Sequence, residues 1–420
     1  MFTLNIRPPL DFLAELEYNA RIMKREHKRT QPDEQTLRHL TQCAQTLVNQ
    51  RRYQMGYPFD QDINLAGFYQ WLIDTGLCDT TLISVGSPYK DAWDMLHVDE
   101  FERAIVDFYA QKYGFPANSY WGFTSNGGTD GNMHGLYFGR KCLAAQSDAP
   151  LILYVSSEAH YSMQKLGDVL NLETRVIKAL PGGQMDAVDF RTQLNPDRPA
   201  LVGIAVGGTF KGAIDNQTEI DAVLKEVNPP AYYRHLDVAL FGGYLPWLDD
   251  PEAQNVLNQK ERQFDSLAVS GHKFLAMNEP TGVFVCRKDI LESLHNVTVP
   301  YLNCVIPTIS CSRSGFDALK LYWRLKTTGE DGFQTQARRV LLMTAKLVSA
   351  LEKRGVKPFV NKWSNTVLFP RPAEEIAHKY CMACSGEWSH VVVMQYFDEE
   401  LIEQLTDDIA SSGKSVQNSI

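Results

Sequence analysis

Ser266-Leu267-Ala268-Val269-Ser270-Gly271-His272-Lys273-Phe274 begins as a short apolar run and breaks into a small, basic turn. Four other runs share the character of its first half: Leu151-Ile152-Leu153-Tyr154-Val155, Leu201-Val202-Gly203-Ile204-Ala205-Val206, Tyr233-Arg234-His235-Leu236-Asp237-Val238-Ala239-Leu240 and Gly282-Val283-Phe284-Val285-Cys286. Runs of this length with little polar alternation suit strands covered on both faces, as in a mostly parallel α/β sheet. Ligands of such sheets gather beyond the carboxyl ends of the strands, so the residues following each run are the first candidates for chemistry.

Outward from this core the pattern changes twice. Residues 1–75 read as helical, one segment starting at Pro9-Leu10-Asp11-Phe12-Leu13 and a second at Asp33-Glu34-Gln35-Thr36-Leu37, with apolar positions at helical spacing. Residues 76–300 form the large domain. Residues 301–420 predict a smaller α+β domain, with helices around Ala318–Trp323 and over Gln336–Lys353, a strand at His390-Val391-Val392-Val393-Met394, and a last helix capped by Asp398.

The chain has 420 residues, enough for two or three folding units. Its 44% hydrophobic content and scattered Gly and Pro exclude disorder and fibrous repeats. A formal charge of -9 disfavours nucleic acid and anionic lipid as partners, and the basic run Lys24–Arg29 reads as a solvated face. Eight Cys are too dilute for a disulfide framework; Cys381 and Cys384 form a C-x-x-C pair without a second pair to complete a zinc site, so no metal is expected. The N-terminus lacks a signal-peptide core and no apolar stretch reaches the length of a membrane span, so a cytoplasmic protein with reduced thiols is expected.

Four features carry chemistry. Lys273, leaving a buried strand beside His272, is placed where desolvation and a cationic neighbour lower its proton affinity; it is either a Schiff-base amine or a surface lysine at a strand exit. Asp237, inside an apolar run, needs a cation or a donor: a protonated pyridine nitrogen or a structural partner. Thr124-Ser125-Asn126-Gly127-Gly128-Thr129-Asp130-Gly131-Asn132 opens a helix with small residues and free N–H groups, an anion cradle without Walker or G-x-G-x-x-G spacing, or simply a turn. His160, in Glu158-Ala159-His160-Tyr161-Ser162, stands just past a strand, where an imidazole stacks on a ring, moves a proton or plays a structural part; the turn Thr209-Phe210-Lys211-Gly212 is equally open. Together a strand-exit lysine, a buried carboxylate, a phosphate-type turn and a strand-end histidine describe a pyridoxal phosphate site.

The motifs T-S-N-G-G-T-D-G-N-M-H-G, S-S-E-A-H-Y-S, G-G-T-F-K-G-A-I-D, H-L-D-V-A-L and S-G-H-K-F resemble, in order and spacing, the group II pyridoxal-phosphate-dependent amino-acid decarboxylases, above all the histidine and serine decarboxylases. The likeness runs from Gly56-Tyr57-Pro58 to Ser389–Met394. It implies a fold-type I, aminotransferase-like architecture and a homodimer with active sites at its interface. It implies that Lys273 carries the cofactor, Asp237 pairs with the pyridinium nitrogen and His160 stacks over the ring. Gly128, Thr129, Ser270 and His272 would hold the phosphate, with Thr209 near the ring and Ala239 against its other face. The expected reaction is decarboxylation of an L-amino acid, histidine first, with His160 and Tyr161 as candidate proton donors. Serine or another small or apolar substrate, transamination or elimination, and a non-catalytic dimeric relative are the alternatives. The chain departs from the pattern at Leu236 and Val238, over Ala276–Gly282, and at Ile306-Pro307-Thr308-Ile309, all bearing on specificity.

Overall fold

The computed structural model describes residues 31–89, 96–292, 294, 298–300 and 304–417. The basic run Lys24–Arg29 and the segment starting at Pro9 lie outside the described residues. The chain divides into two compact units at Arg51 and Arg52. In the first, a helix over Glu34–Gln50 begins at Asp33, whose side chain accepts from the Thr36 amide.

The second unit is built on a seven-stranded sheet. Its strands are β2 (Tyr120–Ser125), β3 (Ile152–Ser156), β4 (Glu173–Ile177), β5 (Ala200–Ala205), β6 (Tyr232–Asp237), β7 (Ser266–Ser270) and β8 (Gly282–Arg287), counted after a short β1 (Ile83–Val85). The order is β2-β8-β7-β6-β5-β3-β4, parallel throughout except for β8, which runs antiparallel between β2 and β7. The apolar runs are buried on both faces as expected: Tyr154, Val202, Leu236 and Leu267 enter one core, and Leu153, Leu201, Tyr233 and Ala268 the other.

The helix Gly128–Ala144 lies against this sheet at close range. A Cβ on Gly135 would stand 2.2 Å from His235 Nδ1, so only glycine permits the approach. On the other face the helix Asp99–Lys112 packs with the long helix Gly315–Lys353. Two separate helices were expected in that last stretch. The structure agrees: Gly329, at φ 64° and ψ 174°, is non-helical, so the stretch is two helices that meet at a kink there.

Strand β6 stops at Asp237, three residues before the end of the apolar run it belongs to. Asp237 Oδ1 accepts the Ala239 amide at 3.2 Å, and the chain turns into the tight helical segment Phe241–Gly243. Short strands β9 (Thr298–Val299) and β10 (Cys304–Val305) pair with each other, and β11 (Ser312–Ser314) pairs with β1. The C-terminal sheet, ordered β12 (Thr366–Pro370), β14 (Trp388–Val392), β13 (Ala383–Ser385), is antiparallel and packs with the helix Glu399–Gln417 around Val367, Phe369, Val391, Leu401 and Leu405. Asp398 caps that helix, accepting the Leu401 amide at 2.7 Å. Among the described residues no helix is long and apolar enough to cross a membrane.

Candidate active site

The parallel strands end on one edge of the sheet, and every candidate residue lies just beyond that edge. Register puts Ala205, Asp237 and Ala268 side by side on β5, β6 and β7. His160 follows β3 by four residues, Thr209 follows β5 by four and Lys273 follows β7 by three.

A ladder of hydrogen bonds fastens these loops together. Asp237 Oδ1 accepts Ala239 N, Ala239 O accepts Ser270 N at 3.0 Å, and Ser270 Oγ accepts Gly128 N at 3.1 Å. A Cβ on Gly128 would come within 2.7 Å of Ser270 Oγ and 3.1 Å of Ala239 Cβ, so glycine keeps this corner open. Gly127, at φ 97°, brings the chain against the His272 ring. Thr129 is exposed in the first turn of the helix, where backbone N–H groups favour an anion.

Lys273, Asp237 and His160 form one electrostatic group. Burial lowers the proton affinity of Lys273, and the Asp237 carboxylate offsets part of that loss. Among the described residues the Lys273 amine has no hydrogen bond and no carboxylate within 4 Å, although the Lys273 carbonyl accepts the Ala276 amide at 3.0 Å. Burial likewise holds His160 below its ordinary value; Asp237 opposes the shift, and Lys273 and Lys165 add to it. Its Nδ1 meets Ser162 Oγ at 2.7 Å, which orients the ring. His272 is lowered to about 4 by burial and by Lys273, so both imidazoles are neutral at pH 7. Tyr161 is 65% exposed, its ring 4.2 Å from that of His160.

Several supporting groups were not anticipated. Arg313 and Glu102 form a buried ion pair at 2.9 Å, and Glu102 also accepts the Thr124 amide and hydroxyl, bracing the strand that leads into the Gly127-Gly128 turn. Glu158 and Lys211 pair at 2.9 Å, joining the loops of His160 and Thr209. His134 Nε2 accepts the Ile309 amide, seating residues 308–310 beside the same helix. Phe59 approaches the His272 ring at 6.0 Å. The only local signals were a glutamate within an apolar helical stripe and an arginine between serines, and neither points to its partner more than 200 residues away.

The donor set fits a phosphorylated, carbonyl-bearing ring. His272 Nδ1 and Thr281 Oγ1 are buried without partners, the Gly128 corner is open, and an amine of lowered proton affinity stands beside a carboxylate. A family model described as the pyridoxal-dependent decarboxylase conserved domain matches residues 139–368. The chain belongs to that family. This decarboxylase is 30% identical to histidine decarboxylase of Pseudomonas entomophila over 88% of its own length and 89% of the relative's. It is 32% identical to serine decarboxylase 1 of Oryza sativa subsp. japonica over 85% and 73%. The fold matches the crystal structure of L-methionine decarboxylase from Streptomyces sp. 590 in its internal aldimine form, with TM-score 0.75, 19% identity, and coverage of 91% and 96%. The decarboxylase is a carboxy-lyase acting on an amino acid, and its cofactor is pyridoxal phosphate.

Proposed function

We propose that the substrate is L-histidine and that Lys273, Asp237 and His160 are the groups that act on it. The observation that carries the site is the strand-end cluster: an amine without a protein partner, coupled to a carboxylate and a neutral imidazole. Similarity to histidine decarboxylases over most of both chains supports histidine; a comparable match to serine decarboxylase makes serine the second substrate to try.

In this reading Lys273 holds the cofactor covalently. Asp237 would keep a positive charge on the cofactor's ring nitrogen, and His160, Ala239 and Thr209 would line the ring. Gly128, Thr129, Ser270 and His272 hold the phosphate, through backbone N–H groups, hydroxyls and one imidazole. When bound, pyridoxal phosphate supplies the electron sink for the pair left behind by departing CO2. The protein's task would then be to orient the substrate carboxylate for departure and return a proton to Cα, from His160 or Tyr161.

A functional division goes with this: residues 76–300 hold the cofactor, and residues 301–420 close the site. Two copies are expected to pair across the site, because Tyr57, Tyr161 and Ile309 leave apolar surface exposed around it. Free Cys78, Cys286, Cys381 and Cys384 suit a reducing, cytoplasmic compartment. The test is incubation of holoenzyme with each L-amino acid while CO2 and amine are measured. Histamine as the fastest-formed product supports the proposal; faster release from serine or an apolar amino acid overturns the histidine assignment.

A further inference from the structure

His390, on β14, is 2% exposed and lies between two backbone carbonyls: Nδ1 is 2.7 Å from Phe210 O and Nε2 is 3.1 Å from Gly56 O. A carbonyl oxygen can only accept, and a neutral imidazole has one N–H, so both contacts are hydrogen bonds only when the ring carries two protons. Burial opposes that second proton and the two carbonyls favour it. Titratable groups on the elements around it are Tyr57 and Asp60 on the Gly56 segment, Lys211 (paired with Glu158) on the Phe210 turn and Cys384 on β13, while β12 carries none. None of them contributes to the proton affinity of His390, which follows from burial and the two carbonyls.

The two carbonyls belong to segments that border the site from different directions. Phe210 follows Thr209 in the turn after β5, and its ring packs on His390 at 4.8 Å. Gly56 is held to the small sheet by its amide, which donates to Cys381 O at 3.1 Å, and three residues later Phe59 reaches the His272 ring beside Lys273. We propose that His390 is a positioning residue that ties the Thr209–Lys211 turn to the Gly56–Asp60 segment, holding two walls of the substrate site in register. This rests on the placement of the cofactor site around Lys273.

The test compares holoenzyme carrying His390→Leu, His390→Asn and His390→Gln. An asparagine amide places its N–H near Nδ1 and keeps the Phe210 contact; a glutamine amide reaches toward Nε2 and keeps the Gly56 contact. Hydrogen–deuterium exchange should quicken over both 54–60 and 207–213 in His390→Leu, over 54–60 alone in His390→Asn, and over 207–213 alone in His390→Gln. KM should rise about five- to tenfold in His390→Leu with kcat within about twofold, the mark of lost ground-state positioning. Because burial holds the second proton of His390 below the ordinary imidazole value of 6.5, any fall in the wild-type KM should come only below that pH, and His390→Gln, donating to Gly56 at every pH, should flatten it. Unchanged exchange in both segments, or Asn and Gln variants that exchange alike, would overturn the proposal, and this pair decides even where His390→Leu does not fold. Exchange is read without turnover, so a wild-type enzyme that releases no CO2 from any amino acid defeats the substrate reading alone.

Discussion

The two ends of the central sheet treat their charges in opposite ways. At the amino end of the parallel strands, Arg234 is bound by Asp221 and by the carbonyls of Arg262 and Gln263, while Arg287 is bound by Asp265 and Asp289. At the carboxyl end, the Lys273 amine feels the Asp237 carboxylate yet is hydrogen-bonded to no acceptor among the described residues. A cation whose charge is met by protein carboxylates and carbonyls serves the fold. One held in a desolvated place without a partner is available to a ligand, and its exposure to that cost is what marks a site.

Lys273→Ala gives the largest expected effect. The visible absorbance of the holoenzyme should vanish and CO2 release should fall by about 10³-fold or more, equivalent to about 4 kcal/mol of barrier, while thermal unfolding of the apoprotein stays near wild type. A variant that stays yellow and active would erase the contrast between the two ends. Asp265→Ala acts at the opposite end: leaving the buried Arg234 amide without its acceptor and removing one partner of Arg287 should cost about 1–3 kcal/mol in denaturant unfolding, with KM unchanged in the protein that remains folded. Equal stability of the two proteins in urea would show that the amino-end pairs are ornamental.

Gly128→Ala tests the open corner. Its new methyl group meets Ser270 Oγ at 2.7 Å, so cofactor affinity, followed by fluorescence titration of the apoprotein, should weaken by about tenfold, or about 1.4 kcal/mol. Unaltered affinity would remove that corner from the phosphate cradle.

The smallest effect concerns Asp60, buried at 2% exposure with Oδ2 unpartnered and pushed up to about 7 by burial, from an ordinary value of 3.8. The folded protein therefore holds this proton more tightly than the unfolded chain, and stability is lost as pH rises between about 4 and 7. Asp60→Asn removes that loss, so the variant should match wild type near pH 4 and unfold at higher temperature at pH 8, by ~1–3 kcal/mol. A gain confined to acid pH would reverse the sign and disprove the burial effect.

Much of the sheet was legible because period and composition are local: a strand covered on both faces must be apolar at consecutive positions, as β3, β5 and β7 are. Its boundaries were less so. Nothing in Val238-Ala239-Leu240 signals that β6 has ended, because the turn is made where the Asp237 carboxylate accepts the Ala239 amide.

The same division runs through the site. Lys273, Asp237, His160 and the Gly127-Gly128 turn were visible in the sequence because each violates its surroundings: a charge after an apolar run, a carboxylate within one, a glycine pair opening a helix. Their chemistry is carried by residue type, which sequence states outright. What joins them is tertiary. The ladder from Asp237 through Ala239 and Ser270 to Gly128, the Glu102–Arg313 pair and the two carbonyls on His390 link positions from 2 to more than 300 residues apart. Only the folded chain, which sets the strand ends of the sheet side by side about 5 Å apart, decides which of those distant groups share a hydrogen bond.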